Sequence, residues 1–258
     1  MGTLWFLTIY SPKGLHERFL THLQEYFEKE LRDFEDRFSR FIPRQDGYDQ
    51  SDSDYQKMVE ISQLFFEATE GIFDIRINKI LTETGYGLEQ NLHLEYDFGG
   101  IGKGYFIDKL GRNLKKLYPD YGFMINGGGD ILHIATILAG HPGGIILENP
   151  YNPSVALGSI SIYNQAICSS SNSKRKWTKN NQHFDHFIPK QATKETLKKD
   201  SLIFATVIAP SCMIADMIAT VICLLEVNDL PDHQQAKIIE NLREFFEFQV
   251  LELNAAHA

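Results

Sequence analysis

The chain has 258 residues, of which 43% are hydrophobic and 23% charged, and its formal net charge is −9. That length buries a substantial core without covalent staples, as one large domain or two closely joined lobes. The acidic balance excludes a partner nucleic acid held through its phosphates, because that attraction needs a basic surface.

Leu4 to Tyr10 is apolar, with no basic region before it and no small-residue cleavage site after it, so it reads as a strand and not as a signal peptide. Leu15, Phe19, Leu23, Phe27, Leu31, Phe34 and Phe38 recur at three- and four-residue steps, predicting an amphipathic helix of about six turns. Gln45 to Asp54 is polar and reads as a solvated loop. A second helix is expected from about Tyr55 to Ala68, closed by Gly71 as a left-handed cap. Ile75, Ile77 and Ile80 look strand-like, as does His93 to Phe98, and a helix follows from Tyr105 to Leu117. Further strands are expected at Tyr121 to Asn126, Ile131 to Leu138, Gly144 to Leu147, Ser159 to Tyr163, Gln165 to Ser169 and Ile203 to Ala209. Asn172 to Lys199 is rich in Lys, Asn, Gln and Thr and reads as an exposed excursion. The apolar stretch Leu202 to Leu225 is broken by Pro210 and Asp216, which favours a buried strand and a buried helix (Ser211 to Leu225) over a membrane span. A closing helix around Ile238 to Phe245 and a last strand from Glu247 to Leu253 complete the chain. Helices and strands mix without strict β-α-β alternation, which disfavours a parallel doubly wound fold, and no linker splits the chain.

Cys212 and Cys223 lie in apolar segments, and with Cys168 they make an odd number without a C-x-x-C pair, the usage of a reduced compartment. The expected setting is the cytoplasm, with no membrane insertion.

Three runs carry chemistry. Asp97-Phe98-Gly99-Gly100-Ile101-Gly102-Lys103-Gly104-Tyr105 places an acid, a base and four glycines just before a helix N-terminus. Glycines allow close backbone approach, and helix N-termini attract anions, so this run suits a polyphosphate with a metal ion; a plain strand-to-helix turn has the same composition. In the helix entered at Ser211, Asp216 and Thr220 share a face one turn apart, flanked by Ala215 and Ala219. An aspartate in so apolar a helix either ligates a cation or is held by a hydrogen bond; carboxylate plus hydroxyl oxygen suits Mg²⁺. His183-x-Asp185-His186 offers a general base, but its spacing matches no common zinc motif. Asn126 to Asp130 (NGGGD) and Thr69 to Asp74 (TEGIFD) each read equally as a turn or as a ligand contact.

In chain order these segments resemble the FAD:protein FMN transferase family, the ApbE-like flavin transferases. The resemblance rests on Met1-Gly2-Thr3 with its apolar strand, the F-S-R-F stretch Phe38 to Phe41, Thr69 to Asp74, Asp97 to Tyr105 and Asn126 to Asp130. It continues through a His-containing segment at His186 and V-x-A-P-x-x-x-A-D-x-x-A-T from Val207 to Thr220. The resemblance implies a mixed α+β fold of largely antiparallel sheets and packed helices, in one domain over residues 1–258, with FAD held between lobes. It also implies a Mg²⁺-dependent reaction that joins FMN to a Thr or Ser of a target protein and releases AMP. Carried over by position, it implies that Asp97 and Lys103 contact FAD and that the Gly100 carbonyl, Asp216 and Thr220 bind Mg²⁺. Met1, Phe41, Thr69, Glu70, Gly71 and Ile188 would line the dinucleotide pocket, with His186 as base.

The chain departs from the family pattern in three places. His186-Phe187-Ile188-Pro189-Lys190-Gln191-Ala192-Thr193 lacks the Asp and the Thr-Gly pair of H-x-I-D-P-x-T-G. Ser169 to Ser173 carries Ser for a glycine and a tyrosine, and Phe41 stands where a pocket tyrosine is expected. Two alternatives therefore stand beside the transferase: an FAD pyrophosphatase giving FMN and AMP, and a non-catalytic FAD-binding module.

Overall fold

The computed structural model describes residues 3–136, 141–152, 154–173, 175–188 and 203–251. Its centre is a six-stranded sheet in the order β1 (Trp5–Tyr10), β2 (Gly122–Gly127), β3 (Asp130–Ile134), β6 (Ala166–Ser171), β9 (Phe204–Ala209), β10 (Gln249–Leu251). Every pairing is antiparallel, which agrees with the α+β fold implied by the resemblance. β2 and β3 join through Gly128 and Gly129, whose φ values of +68° and +102° make the two-residue turn that suits the strand twist. Gly127 is required for a different reason. A Cβ there would stand 2.6 Å from the ring of Trp5, its partner across β1 and β2.

One face of the sheet is covered by α4 (Gly102–Leu117) on β2 and β3, and by α5 (Cys212–Val227) on β6 and β9; the two helices also pack against each other. α5 is apolar almost all round, and most of its length is buried, including Cys212 and Cys223. Cys168 on β6 is buried as well, its Sγ 3.4 Å from that of Cys212, and all three thiols are free. The opposite face carries a ribbon of β4 (Gly143–Glu148) and β5 (Ala156–Ile162), whose Ile145 and Ile162 pack on Ile131, Ile167 and Ile208. α1 (Glu17–Phe38) lies against α4, and α2 (Ser53–Ala68) against α6 (Asp232–Phe245). Among the described residues no helix is long and apolar enough to cross a membrane.

Three expectations are corrected, and a fourth, the exposed excursion, gains a hairpin. Ile75, Ile77 and Ile80 form no strand: Ile75 lies in a loop and Ile80 in the short helix α3 (Asn78–Thr84), which ends at Gly85 with φ +99°. His93 to Phe98 is likewise irregular, because Asn78 takes the carbonyls of Asn91 and Leu94 with its side-chain amide and bends the segment into a turn. The polar run after Gln45 is not all solvated, since α2 begins at Ser53 and Asp54 is buried among Arg37, Tyr105 and Lys109. The excursion after Asn172 contains a hairpin of β7 (Lys176–Lys179) and β8 (Gln182–Asp185). Trp177 donates from Nε1 to the Thr84 carbonyl (2.7 Å) and stacks on Tyr86 at 4.6 Å, strapping that hairpin to the end of α3. Met1, Leu138, the segment from Pro189 to Leu202 and the end of the last predicted strand lie outside the described residues.

Candidate functional site

The glycine-rich run forms a single 3₁₀ turn, Phe98–Gly100, leading straight into α4. Asp97 caps that turn, accepting from the Gly99 N–H at 2.9 Å, and its other partner is the Arg40 guanidinium, with Nη2 2.7 Å from Oδ1. A Cβ at Gly99 would fall on the Arg40 guanidinium, so a side chain here would displace that group from Asp97. The Asp97 N–H donates to the Ile75 carbonyl at 2.7 Å, which ties this turn to the loop after α2.

That loop is shaped by Thr69, a fully buried residue whose hydroxyl donates to the Phe65 carbonyl (2.6 Å) and accepts from the Phe73 N–H (3.0 Å). Glu70 and Gly71 follow in left-handed conformations, φ +54° and +81°, and Gly71 closes α2 by donating to the Phe66 carbonyl. The Phe73 ring is thereby set against Gly100, 3.4 Å from where a Cβ would be.

Two distant segments meet where α4 crosses α5. A Cβ on Gly104 would stand 2.6 Å from the Met213 Cα and 2.8 Å from the Cys212 carbonyl oxygen, so only glycine admits this approach. Asp108, one turn on, is buried and accepts from the Ser211 hydroxyl (2.6 Å), the Cys212 N–H (2.8 Å) and the Met213 N–H (3.0 Å). Its carboxylate therefore caps the N-terminus of α5 from a neighbouring helix. Burial nevertheless pushes the Asp108 pKa up, against these bonds. With α5 so placed, its face touches the Phe98–Gly100 turn.

Lys103, in the first turn of α4, pairs with Asp130 at the start of β3 and lies 3.5 Å from Asp216 Oδ2. Asp130 and Asp216 are only 1% and 6% exposed, and Asp216 Oδ2 has no hydrogen-bond partner among the described residues. One ammonium thus faces two buried carboxylates. One turn along α5, the Thr220 hydroxyl donates to the Asp216 carbonyl at 3.0 Å and lies 3.2 Å from Ser170 Oγ.

His186 follows β8, its Nδ1 buried and without a hydrogen-bond partner among the described residues. Burial first, then the positive charges of Arg175, Arg40 and Lys103, push its pKa down to about 3, so the imidazole is neutral across the physiological range.

These groups share a cavity of about 870 Å³. Gly71, Asp97, Gly100, Lys103, His186, Ile188, Asp216 and Thr220 line it, together with Arg40, Arg175 and Asn126. Three residues expected at the pocket lie outside its wall. Thr69 and Glu70 stand behind it in the loop they shape, with Glu70 paired to Lys237 at 2.5 Å. Phe41 is half exposed and packs edge-on against Tyr86, which does line the cavity. Met1 falls outside the described residues.

Arg40 and Asp108 are neighbours of the candidate site that sequence reasoning did not single out, and Asp130, named there only within its glycine turn, proves to be a partner of Lys103. Asp108 carried a usable signal: it lies four residues after Gly104 and three after Tyr105, an acid on the apolar stripe of its helix. Among the described residues no three His, Cys, Asp or Glu side chains are grouped to hold a metal by themselves. Any cation here would need backbone, hydroxyl or substrate oxygens besides Asp216.

Residues 82–242, well over half of the chain, match the family model described as the ApbE family. Over 137 residues the chain is 29% identical to the FAD:protein FMN transferase of Chlamydia pneumoniae, a stretch covering 52% of this chain and 41% of that relative. Less than half of the relative's length is therefore matched. The fold superimposes on the ApbE protein of Thermotoga maritima with a TM-score of 0.71 at 15% identity, covering 96% of this chain and 94% of the other. For the flavin transferase ApbE of Vibrio cholerae the TM-score is 0.63 at 16% identity, covering 98% and 97%. At such identities the likeness establishes the fold alone.

Proposed function

The chain belongs to the ApbE family, and we propose that it transfers FMN from FAD to a Thr or Ser hydroxyl of an acceptor protein and releases AMP. The observation that carries this reading is the meeting of the Asp97–Gly100 turn, Lys103 and the Asp216/Thr220 face of α5 in one cavity large enough for a dinucleotide. In the reaction the acceptor oxygen attacks the phosphorus on the FMN side of the pyrophosphate. A new phosphoester bond forms, the bridging P–O bond breaks, and AMP leaves with that oxygen.

Each side chain has work suited to its surroundings. Lys103 sets positive charge against the phosphate oxygens where negative charge develops. Arg40, fixed by Asp97, and Arg175 add to the same field. Gly71 and Ile188 supply apolar wall, while Thr69 and Glu70 act one step removed by fixing the loop that carries Gly71 and Phe73. Phe41 acts through Tyr86.

His186 takes the proton from the acceptor hydroxyl. The cations that depress its pKa are those a bound pyrophosphate would offset, so substrate charge raises the imidazole toward the range where a base works at neutral pH.

A divalent cation fits this donor set. Asp216 Oδ2 is buried without a hydrogen bond among the described residues, and the Gly100 carbonyl and Thr220 hydroxyl are hard oxygen donors on the same wall. Mg²⁺ held by those three groups would supply Lewis-acid neutralisation of the pyrophosphate oxygens.

The test is to incubate the protein with FAD, Mg²⁺ and a protein bearing a candidate Thr or Ser site, then run denaturing electrophoresis. A flavin-fluorescent band matched by equimolar AMP is expected. Normal FAD binding without a labelled band, across a panel of acceptors, refutes the transferase. The altered sequence after His186 favours one second reading, in which water is the acceptor. It predicts free FMN and AMP with no labelled protein.

A further inference from the structure

Lys103 faces two buried carboxylates at once, and one ammonium cannot neutralise both. We propose that Lys103 is a resident counter-cation of Asp216 that competes with the divalent metal, so that metal and dinucleotide bind cooperatively. The inference rests on the proposed metal and FAD site and adds to it a coupling carried by this chain's own residues.

The geometry supplies each part. Asp216 Oδ2 has the Lys103 ammonium 3.5 Å away and no hydrogen bond among the described residues. It is therefore held by charge alone, and by a partner that can be exchanged. Asp130 gives the ammonium a second anchor, on a different element and almost fully buried. A lysine on its four-carbon stem can swing between stations a few ångströms apart. Lys103 lines the cavity, so a pyrophosphate entering there offers it a third anionic partner.

While the ammonium leans on Asp216, a dication at that carboxylate meets like charge at close range. Once a pyrophosphate draws the ammonium away, Asp216 is free to ligate. By linkage, whatever factor FAD adds to metal affinity, metal adds to FAD affinity. Asp130 keeps the displaced lysine inside the site and not in solvent. The coupling thus favours loading the cation together with the dinucleotide.

The experiment is a Mn²⁺ titration followed by electron paramagnetic resonance, with and without FAD, no acceptor present, and the FAD–Mn²⁺ background subtracted. In Lys103→Gln, which keeps a donor for Asp130 without the charge, Mn²⁺ binding in the absence of FAD should tighten on the order of tenfold. The gain that FAD brings should shrink by the same factor. Lys57→Gln removes an exposed cation on α2, paired with Glu60 and away from the cavity, and should leave the affinity within about twofold, as screened, separated charges do. Unchanged or weaker Mn²⁺ binding in Lys103→Gln overturns the competition, and an equal gain in Lys57→Gln does so too, by reducing the effect to net charge. If no protein binds Mn²⁺ even with FAD present, the metal site itself is wrong and the inference falls with it. A measurement on the unaltered protein stands independently of whether the variants fold: the ¹⁵N resonance of the Lys103 ammonium should shift when Mg²⁺ alone is added to saturation. A resonance that stays in place overturns the proposal.

Discussion

Gly104→Val is the substitution whose consequence follows most directly from the geometry. The first added carbon would stand 2.6 Å from the Met213 Cα and 2.8 Å from the Met213 nitrogen and the Cys212 carbonyl oxygen, where ordinary contact begins at 3.4 Å. All three are backbone atoms, so no side chain can turn aside, and α5 must retreat by about 0.8 Å. Overpacking against backbone falls at the upper end of its usual cost, about 3 kcal/mol, and the helix-propensity gain of Val over Gly offsets only a few tenths. At roughly 2–4 °C per kcal/mol for a domain of this size, the midpoint of thermal unfolding should fall by about 6–12 °C. Because the retreat moves Asp216 away from Lys103 and the Phe98–Gly100 turn, FAD affinity in the presence of Mg²⁺ should fall as well. Gly144→Val is the matched control, since a Cβ there meets nothing within 4 Å. Calorimetry on both variants decides the matter. If Gly104→Val unfolds at the same temperature as the control, α4 and α5 do not meet as described, and the account of how the site is assembled fails.

Asp216→Ala should keep the fold and lose Mg²⁺-dependent turnover on the order of 10²–10³-fold, the scale for removing a charge-stabilising group; undiminished turnover would make Asp216 structural. Asp108→Ala strands the Ser211 hydroxyl and two N–H groups of α5 and should cost about 2–4 kcal/mol in urea denaturation, while a change below about 0.5 kcal/mol would refute its capping role. His186 has a folded pKa near 3 against an unfolded value near 6.5, so the unfolded chain binds the extra proton between those limits. The stability that neutral His186 contributes is complete above about pH 6.5 and is lost as pH falls toward 3. His186→Gln should therefore flatten stability against pH in that window, and an unchanged slope would show that His186 titrates normally.

How far the sequence could be read depended on whether a segment's partners were local. The long helix α1 was legible because its apolar residues repeat over 22 positions. The β2–β3 hairpin showed in its glycines, and the break between β9 and α5 in Pro210. Short segments misled. Ile75 and Ile77 share the two-residue step of a strand and Ile80 does not, while α3 is only seven residues long, too few to establish a helical period. His93 to Phe98 is bent by the amide of Asn78, a partner the local pattern does not reveal.

The same division holds in the site. The glycine-rich run and the Asp216/Thr220 pair announced themselves by residue type, and the cavity brings them together. Asp108 gripping Ser211 and Arg40 gripping Asp97 join residues far apart in the chain, so neither end betrays the other. Thr69 and Glu70 illustrate the reverse case. Their types suggest ligand contact, but the hydroxyl of Thr69 is used within its own loop and Glu70 faces Lys237.

In the proposed reaction the Gly100 turn and the Asp216 face of α5 together hold a divalent cation against the bridging phosphates of FAD. Crystals grown with Mn²⁺ and FAD, measured at the manganese absorption edge, test it most directly. The account predicts an anomalous peak about 2–2.3 Å from the Asp216 carboxylate and from a pyrophosphate oxygen, with the Gly100 carbonyl and Thr220 completing the protein ligands. A peak elsewhere, or FAD bound with Asp216 still turned only toward Lys103, would contradict it.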